Sequence, residues 1–246
     1  MARVIVVGSI NQDVTVTVDR FPSPGETLSG TSLTYSLGGK GANQAAAAAH
    51  SGATVVFVGA LGSDPSGQRL RCDLASHGVD VTHLREADGP SGTALITVAA
   101  SGENTIILDA GANATVSITP AKASLFPAPS DIVVLQAEIP ERANAEALAW
   151  AHSFGARVLL NLAPARPTDP ALMARTDILV VNETEAGLTL GMPAPASPME
   201  AIGVARALRG LGPKHVMVTL GADGAAWASG SEAGHCPALT LGEAVD

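Results

Sequence analysis

Residues 37–52, LGGKGANQAAAAAHSG, decide how the first part of this chain folds. Three glycines surround a single lysine, and five consecutive alanines follow an Ala-Asn-Gln string. Glycine permits positive φ and has no Cβ, so the backbone here can approach a ligand closely before it enters a helix. The alanines let that helix, predicted over residues 43–51, pack tightly against a sheet. A glycine-rich loop before a well-packed helix, with no ligand, is the alternative interpretation.

The lysine and the asparagine of this stretch limit the kinds of ligand site that it can form. Lys40 is followed by glycine and not by Ser or Thr, so the stretch is not a Walker-type phosphate loop. Asn43 stands near the predicted start of the helix. There its side chain either caps backbone N–H groups or contacts a ligand.

Outside this stretch, short apolar runs alternate with helical patterns along the chain. Near-continuous apolar runs are typical of strands that are buried on both faces of a parallel sheet. They occupy residues 4–7, 54–59, 132–135, 158–160, 178–181 and 216–220, and helices are predicted over 66–76, 141–154, 184–190 and 198–209. The alternation predicts a single three-layer α/β/α domain over residues 1–246 with a mostly parallel central sheet.

Two segments break the alternation. Residues 14–18 alternate strictly between Val and Thr, as a half-buried strand does. Residues 93–98 and 105–108 are joined by a Gly-containing loop, which predicts a β-hairpin. We expect a small accessory sheet with strands within 13–36 and 91–109. Its apolar faces need cover, so it acts as a lid over a site, as a contact with a second copy, or as both.

Charge and composition exclude several classes of partner. The net charge is −9, and no cluster of Lys or Arg indicates a nucleic-acid partner or an anionic membrane surface. Cys72 and Cys236 have no metal-ligand spacing and suit a reducing compartment. No signal peptide or membrane-spanning run is recognisable. We therefore expect a cytoplasmic protein that binds small molecules.

A second polar group follows the first predicted strand, in Ser-Ile-Asn-Gln-Asp at residues 9–13. Ligands of open α/β sheets lie at the carboxyl ends of the strands. Asn11 and Asp13 are two residues apart and project the same way if the backbone stays extended. An amide beside a carboxylate suits vicinal hydroxyls, so the pair predicts a polyol site. A simple turn at the end of the strand is the alternative.

Nine strings in one order resemble the ribokinase (PfkB-type) family of carbohydrate kinases. They are GSINQD, FPSPGETLSG, LGGKGANQAAAAA, GPSGTALITV, GENTIILDAGAN, LQAEIP, LNLAPAR, VNETEAG and VTLGADGAAW. The resemblance runs from Val4 to Asp246. It implies a ribokinase-like α/β fold and transfer of a phosphoryl group from ATP to the 5-hydroxyl of D-ribose, with Mg²⁺ and activation by K⁺.

The resemblance also assigns residues to roles. The sugar site it implies consists of Asn11, Asp13, Gly39, Lys40, Asn43 and Glu138, and the nucleotide site of Asn182, Thr219, Gly221 and Gly224. It implies that Glu185 holds Mg²⁺ through water and that Asp246 is part of a K⁺ site. By pattern alone, Asn-Glu-Thr-Glu at 182–185 also fits a capped helix start, and the turn at 219–224 also fits a hairpin.

The family pattern continues beyond Asp246 with a Gly-rich turn and the aspartate that serves as general base. Because neither stands in these 246 residues, we expect them to lack the C-terminal part of the fold and to be a piece of a longer, active kinase that dimerises through the accessory strands. The alternatives are a kinase for another pentose, deoxyribose or a nucleoside, or a non-catalytic sugar-binding or regulatory fragment.

Overall fold

A computed structural model of the chain describes residues 2–239. Its strands are β1 (Arg3–Val7), β2 (Asn11–Val18), β3 (Ser32–Gly38), β4 (Thr54–Gly62), β5 (Val79–Ala87), β6 (Gly92–Ala99), β7 (Asn104–Asp109), β8 (Ile132–Gln136), β9 (Arg157–Asn161), β10 (Ile178–Asn182), β11 (His215–Thr219), β12 (Ala225–Ser229) and β13 (Glu232–Cys236). Its helices are α1 (Lys40–His50), α2 (Pro65–Ser76), α3 (Glu141–Ser153), α4 (Pro170–Ala174), α5 (Glu183–Leu190) and α6 (Pro198–Arg209). Among residues 2–239, no helix is long and apolar enough to cross a membrane.

The central sheet has nine strands in the order β13-β12-β11-β10-β9-β8-β1-β4-β5. All pairings are parallel except the two at the β12–β13 edge. Alternate residues of β1 point to opposite faces: Val6 packs with α1 and α2, whereas Ile5 and Val7 pack in the core that includes α3 and α6. The three-layer prediction is therefore confirmed.

Helix α1 begins three residues earlier than predicted. Gly39 is its N-cap and has φ +90°, so the turn into the helix is made by the second glycine of the pair. A Cβ on Gly41 would lie 2.6 Å from the backbone N of Ser9, which shows how closely the first turn packs against the chain after β1. Of the two roles predicted for Asn43, capping the helix is wrong, because Asn43 lies one turn inside. The first N–H groups, those of Lys40 and Gly41, donate instead to the side chains of Glu138 and Ser9.

The bounds of the other predicted elements differ little from the predictions, but some elements were not predicted, among them β5, α4 and β13. Strand β5 was not predicted, because its sequence VDVTHLREA carries polar residues at most positions. It forms the edge of the sheet and has a parallel partner only in β4. An edge strand faces solvent on one side, so it lacks the continuous apolar run that marks the central strands.

A second sheet, called the accessory sheet below, has four strands in the order β3-β2-β6-β7. Strands β6 and β7 pair antiparallel, as the hairpin pattern predicts. Strand β2 begins at Asn11 and β3 ends at Gly38, so both extend beyond the predicted limits of 13–36. Asn11 pairs with Gly38 on one side and with Gly92 on the other. The accessory sheet therefore starts at the polar pair after β1.

Candidate active site

The polar residues after β1 and before α1 meet in a cavity of about 340 Å³ between the two sheets. All six residues that the sequence assigns to the sugar line it. The lining consists of Asn11, Asp13, Gly39, Lys40, Asn43 and Glu138, together with Pro164 and the accessory-sheet residues Ala94, Ile96, Ile106 and Leu108. A cavity of this size, with a few convergent polar groups, is typical of a small-molecule site.

Strand β2 places Asn11 and Asp13 on the same side of the accessory sheet. Both lie in its extended backbone, and the period of two in a strand makes their side chains project the same way. The alternative interpretation, a turn that ends β1, is therefore wrong. The register pairs Asp13 with Ala94, which also lines the cavity.

Glycines allow the chain to approach this pair closely. A Cβ on Gly38 would lie 2.0 Å from Asp13 Oδ1. A Cβ on Gly39 would lie 2.9 Å from the backbone N of Asn11, in a backbone conformation that L-residues avoid. Because neither of these consecutive glycines has a side chain, the Asp13 carboxylate and the backbone of Asn11 can both lie against them.

Glu138 is held at the N-terminus of α1. Its Oε2 accepts a hydrogen bond from the backbone N–H of Lys40 at 2.9 Å and another from Ser9 Oγ at 2.6 Å. A carboxylate at this end of a helix is favoured by the helix dipole. The other oxygen, Oε1, makes no hydrogen bond within residues 2–239 and is left for a ligand.

The electrostatics of the cavity disfavour ionisation of Asp13. Partial burial raises the pKa of the Asp13 carboxyl, and the negative charge of Glu138 raises it further. Such a shift is typical of functional sites, where burial and neighbouring like charges change the pKa values of side chains. Hydrogen-bond donors from a ligand would favour the charged form.

Two buried residues that the sequence analysis did not assign support this cavity. Ser9 is fully buried and bonds Glu138, and Asn113 is 1 % exposed and bonds Asn11. Both belong to strings quoted above, GSINQD and GENTIILDAGAN, and this was their only signal in the sequence. Their roles depend on contacts between distant parts of the chain, which periodicity does not reveal.

A groove of about 600 Å³ borders the cavity at Lys40 and includes the carboxyl ends of β9, β10 and β11. Much of its lining is apolar and comes from α1, β1, β8 and β9. Three residues assigned to nucleotide or Mg²⁺ line it: Asn182, Glu185 and Thr219. Lys40 lines both the groove and the cavity. Lys40 is therefore a charged residue that the groove and the cavity share.

Asn182 and Glu185 form a capping box at the start of α5. Asn182 Oδ1 accepts from the backbone N–H of Glu185 at 2.8 Å, and Glu185 Oε2 accepts from the backbone N–H of Asn182 at 2.9 Å. The capped-helix interpretation is thus correct, and it leaves Glu185 Oε1 without a hydrogen bond among residues 2–239. One accessible carboxylate oxygen fits a Mg²⁺ ion that keeps most of its waters.

An amide network connects the groove to the sheet. Gln44 of α1 donates from Nε2 to Asn161 Oδ1 at 3.1 Å and accepts from Gln136 Nε2 at 2.7 Å. Gln44 and Asn161 both line the groove. These residues were not assigned from the sequence, although they lie in the strings LGGKGANQ and LNLAPAR.

The turn after β11 holds the other two residues assigned to the nucleotide. Gly221 and Gly224 have positive φ, +53° and +93°, and the chain returns as β12 antiparallel to β11, so the hairpin interpretation is correct. Neither glycine is among the described residues that line the groove. Asp246 and the general base expected after it lie outside the described residues.

A larger cavity of about 660 Å³ lies around residues 165–170 and 188–191. Its only charged lining residue within the described part of the chain is Arg166, and it contains none of the assigned residues. An apolar cavity without carboxylates or amides does not suit a polyol, so the smaller polar cavity is the candidate active site.

Comparison with known proteins places these features in a family. The family model described as "pfkB family carbohydrate kinase" matches residues 1–246. The ribokinase of Haemophilus influenzae is 40 % identical over 223 residues, which cover 89 % of this chain and 72 % of that protein. The deoxyribokinase of Salmonella typhi is 33 % identical over 248 residues, covering 99 % of this chain and 80 % of that protein.

The fold is also similar to that of solved structures. The structure of Arabidopsis thaliana ribokinase complexed with ribose and ATP superposes with a TM-score of 0.84 at 32 % identity. The match covers 96 % of this chain and 78 % of that one.

Proposed function

The chain belongs to the pfkB family of carbohydrate kinases, and from this premise we propose that it transfers a phosphoryl group from ATP to the 5-hydroxyl of D-ribose. The observation that carries the proposal is the 340 Å³ cavity, which all six residues assigned to the sugar line together. The similarity to ribokinases, one of them solved with ribose and ATP, supports the same substrates.

The polar groups of the cavity bind and orient the sugar. Asp13 and Oε1 of Glu138 accept hydrogen bonds from hydroxyls, while Asn11, Lys40 and Asn43 donate to hydroxyl oxygens. A site that hydrogen-bonds a hydroxyl rejects analogues that lack it by factors of about 10⁴, because its buried polar groups are then left unpaired. This set of contacts selects a polyol and leaves one hydroxyl directed toward the groove.

The groove receives the nucleotide phosphates in this proposal. Asn182 and Thr219 contact them, and the turn with Gly221 and Gly224 brings backbone close to the nucleotide. Glu185 holds Mg²⁺ through water; when bound, the ion neutralises phosphate charge. Lys40 stands between the two spaces and stabilises the charge of the phosphoryl group as it passes to the sugar. K⁺ activation is part of the proposal, with Asp246 as one ligand.

The accessory sheet serves as the lid of the site. Ile96, Ile106 and Leu108 line the cavity with apolar surface, and closing such a surface over the sugar excludes water that would otherwise hydrolyse ATP. The opposite face carries a row of exposed side chains: Tyr35, Leu95 and Ile107 are 56 %, 51 % and 69 % exposed. We propose that this row packs against a second copy, giving a homodimer in the cytoplasm, where ATP is available.

Deoxyribose is the second candidate substrate, because a deoxyribokinase is 33 % identical to this chain. A coupled ADP-release assay on the full-length gene product, with D-ribose, 2-deoxy-D-ribose, other pentoses and nucleosides, separates the candidates. We expect the highest kcat/KM with D-ribose. A higher value with deoxyribose or a nucleoside would replace ribose as the substrate, and sugar binding without ADP release would favour a non-catalytic role.

A further inference from the structure

Asn113 lies in a short 3-10 helix, Gly111–Thr115, that directly follows the last strand of the accessory sheet. Its carboxamide pairs with both backbone groups of Ile10: Oδ1 accepts from the N–H at 3.0 Å, and Nδ2 donates to the carbonyl at 3.1 Å. A rotation of this amide by 180° would place like groups against each other at both contacts. The backbone of Ile10 therefore determines which way Asn113 points.

The second N–H of Asn113 determines the orientation of the next side chain. Asn113 Nδ2 also donates to Asn11 Oδ1 at 2.7 Å. Asn11 is 4 % exposed, and its side-chain oxygen is thus bound to Asn113 and not to a ligand. Its NH₂ group makes no hydrogen bond within residues 2–239 and is not among their buried unsatisfied atoms, so it is open to the cavity that Asn11 lines.

We propose that Asn113 is a positioning residue for the sugar site: it orients the Asn11 carboxamide so that the NH₂ group, and not the carbonyl, faces the substrate. The inference rests on the proposed function, because it assumes that a sugar occupies the cavity. It explains why a fully buried asparagine follows the accessory sheet.

The orientation matters because of the other groups in the cavity. Asp13 and Glu138 offer only acceptor oxygens when they are ionised. A hydroxyl that donates its proton to Asp13 still needs a donor for its lone pairs, and the NH₂ group of Asn11 supplies one. With the amide reversed, a third oxygen would compete for the same hydroxyl protons and leave the sugar oxygens unpaired.

Gly92 provides independent support for this contact. It is the first residue of β6 and pairs with Asn11 across the accessory sheet. A Cβ at this position would lie 2.1 Å from Asn113 Nδ2 and 2.3 Å from Asn11 Oδ1. The absence of a side chain at residue 92 is therefore what allows the two amides to meet, and Gly92→Ala should disturb the same hydrogen bond.

The test is a double-mutant cycle on the full-length protein, with binding of D-ribose measured by calorimetry. In Asn113→Asp the group that donates to Asn11 Oδ1 and to the Ile10 carbonyl becomes an oxygen. The Asn11 amide therefore reverses, and the contact with Ile10 is lost whichever residue stands at position 11. We expect about 10- to 100-fold weaker binding, the loss of one hydrogen bond plus an unfavourable contact. Combined with Asn11→Ala, the substitution should have a much smaller further effect, because the amide that it orients is gone and only the lost contact with Ile10 remains.

The matched control is Asn144→Asp. Asn144 is also 1 % exposed and also donates to a backbone carbonyl, that of Gln136 at 2.7 Å, but it does not line the cavity. Its effect should be the same with and without Asn11→Ala. If Asn113→Asp weakens binding equally in both backgrounds, its role is merely structural and the inference is overturned.

Two further outcomes are informative. If Asn113→Asp does not fold in a thermal melt, Gly92→Ala takes its place in the cycle with the same expectation. If the wild type binds 2-deoxy-D-ribose but not D-ribose, only the ribose assignment fails, and the cycle is run with the deoxy sugar. A wild type that binds neither sugar overturns the function and the inference together.

Discussion

Replacing Asp13 with asparagine separates two effects of this side chain. One is its contribution to sugar binding, and the other is its destabilisation of the folded protein. Burial and the charge of Glu138 raise the pKa of Asp13 in the folded state. A carboxyl whose pKa is raised by folding destabilises the native state wherever it is ionised, at pH values above that pKa. Asparagine has nearly the same shape without the charge. Asp13→Asn should therefore be more stable than the wild type at pH 7, without ligand.

The pH dependence of this gain follows from the direction of the shift. As the pH falls through the folded-state pKa of Asp13, the wild-type carboxyl becomes neutral, and the difference between the two proteins disappears. The stability advantage of the variant should thus be present at neutral pH and lost toward acid. An ordinary surface carboxylate shows no such trend.

The effect on binding has the opposite sign. In the proposed complex the carboxylate accepts two hydrogen bonds, and one to a charged group is worth about 1.5–3 kcal/mol against about 0.5–1.5 kcal/mol for a neutral one. The loss is about 1–1.5 kcal/mol for each bond and about 2–3 kcal/mol for two. D-ribose should therefore bind about 30- to 150-fold more weakly.

Calorimetry with D-ribose and thermal unfolding at several pH values measure both effects on the same preparations. The matched control is Asp19→Asn, which removes the same charge from an exposed position just after β2 and should change neither quantity. Unchanged affinity in Asp13→Asn would remove Asp13 from the sugar site. Lower stability at pH 7 would refute the reasoning about its pKa.

Three further predictions test the backbone, the assembly and the core. Gly39→Ala adds a Cβ 2.9 Å from the backbone N of Asn11 at φ +90°, so denaturant unfolding should show a loss of at least about 1–2 kcal/mol. Ile107→Glu places a charge in the exposed row and should give a monomeric mass by light scattering; an unchanged dimer excludes that face. Burial opposes ionisation of Asp177, but the bond from Lys214 and other contacts lower its pKa overall. Asp177→Asn should therefore reduce stability at pH 7, and the difference should shrink below about pH 4; a constant difference would contradict this.

Local patterns were enough to predict the main elements. Near-continuous apolar runs marked the central strands, because a strand covered by helices on both faces needs apolar side chains at nearly every position. The same reasoning missed β5, which lies at the sheet edge with mixed polarity. It also placed the start of α1 at Asn43, because a capping side chain was sought within the stretch. In the structure Gly39 is the N-cap, and the first N–H groups donate to Glu138 and Ser9 from distant parts of the chain.

The residues of the candidate site also differ in whether the sequence alone predicts them. Asn11 and Asp13 were predictable as a pair, since two residues of spacing in a strand puts both side chains on one face. Glu138 was assigned only through the family resemblance, and its contact with the N–H of Lys40 joins residues 98 positions apart. No periodic pattern in the sequence predicts such a contact.

By itself, then, the sequence determined the alternation of strands and helices, the close backbone approach at the paired glycines and the amide–carboxylate pair after β1. Only the tertiary structure decided that Asn113 meets Asn11 across 102 positions, that Ser9 holds Glu138, and that Lys40 borders both cavity and groove. The reason is physical: propensity and periodicity act over a few neighbouring residues, whereas the direction of each hydrogen bond in the site depends on which distant backbone groups the fold brings within reach.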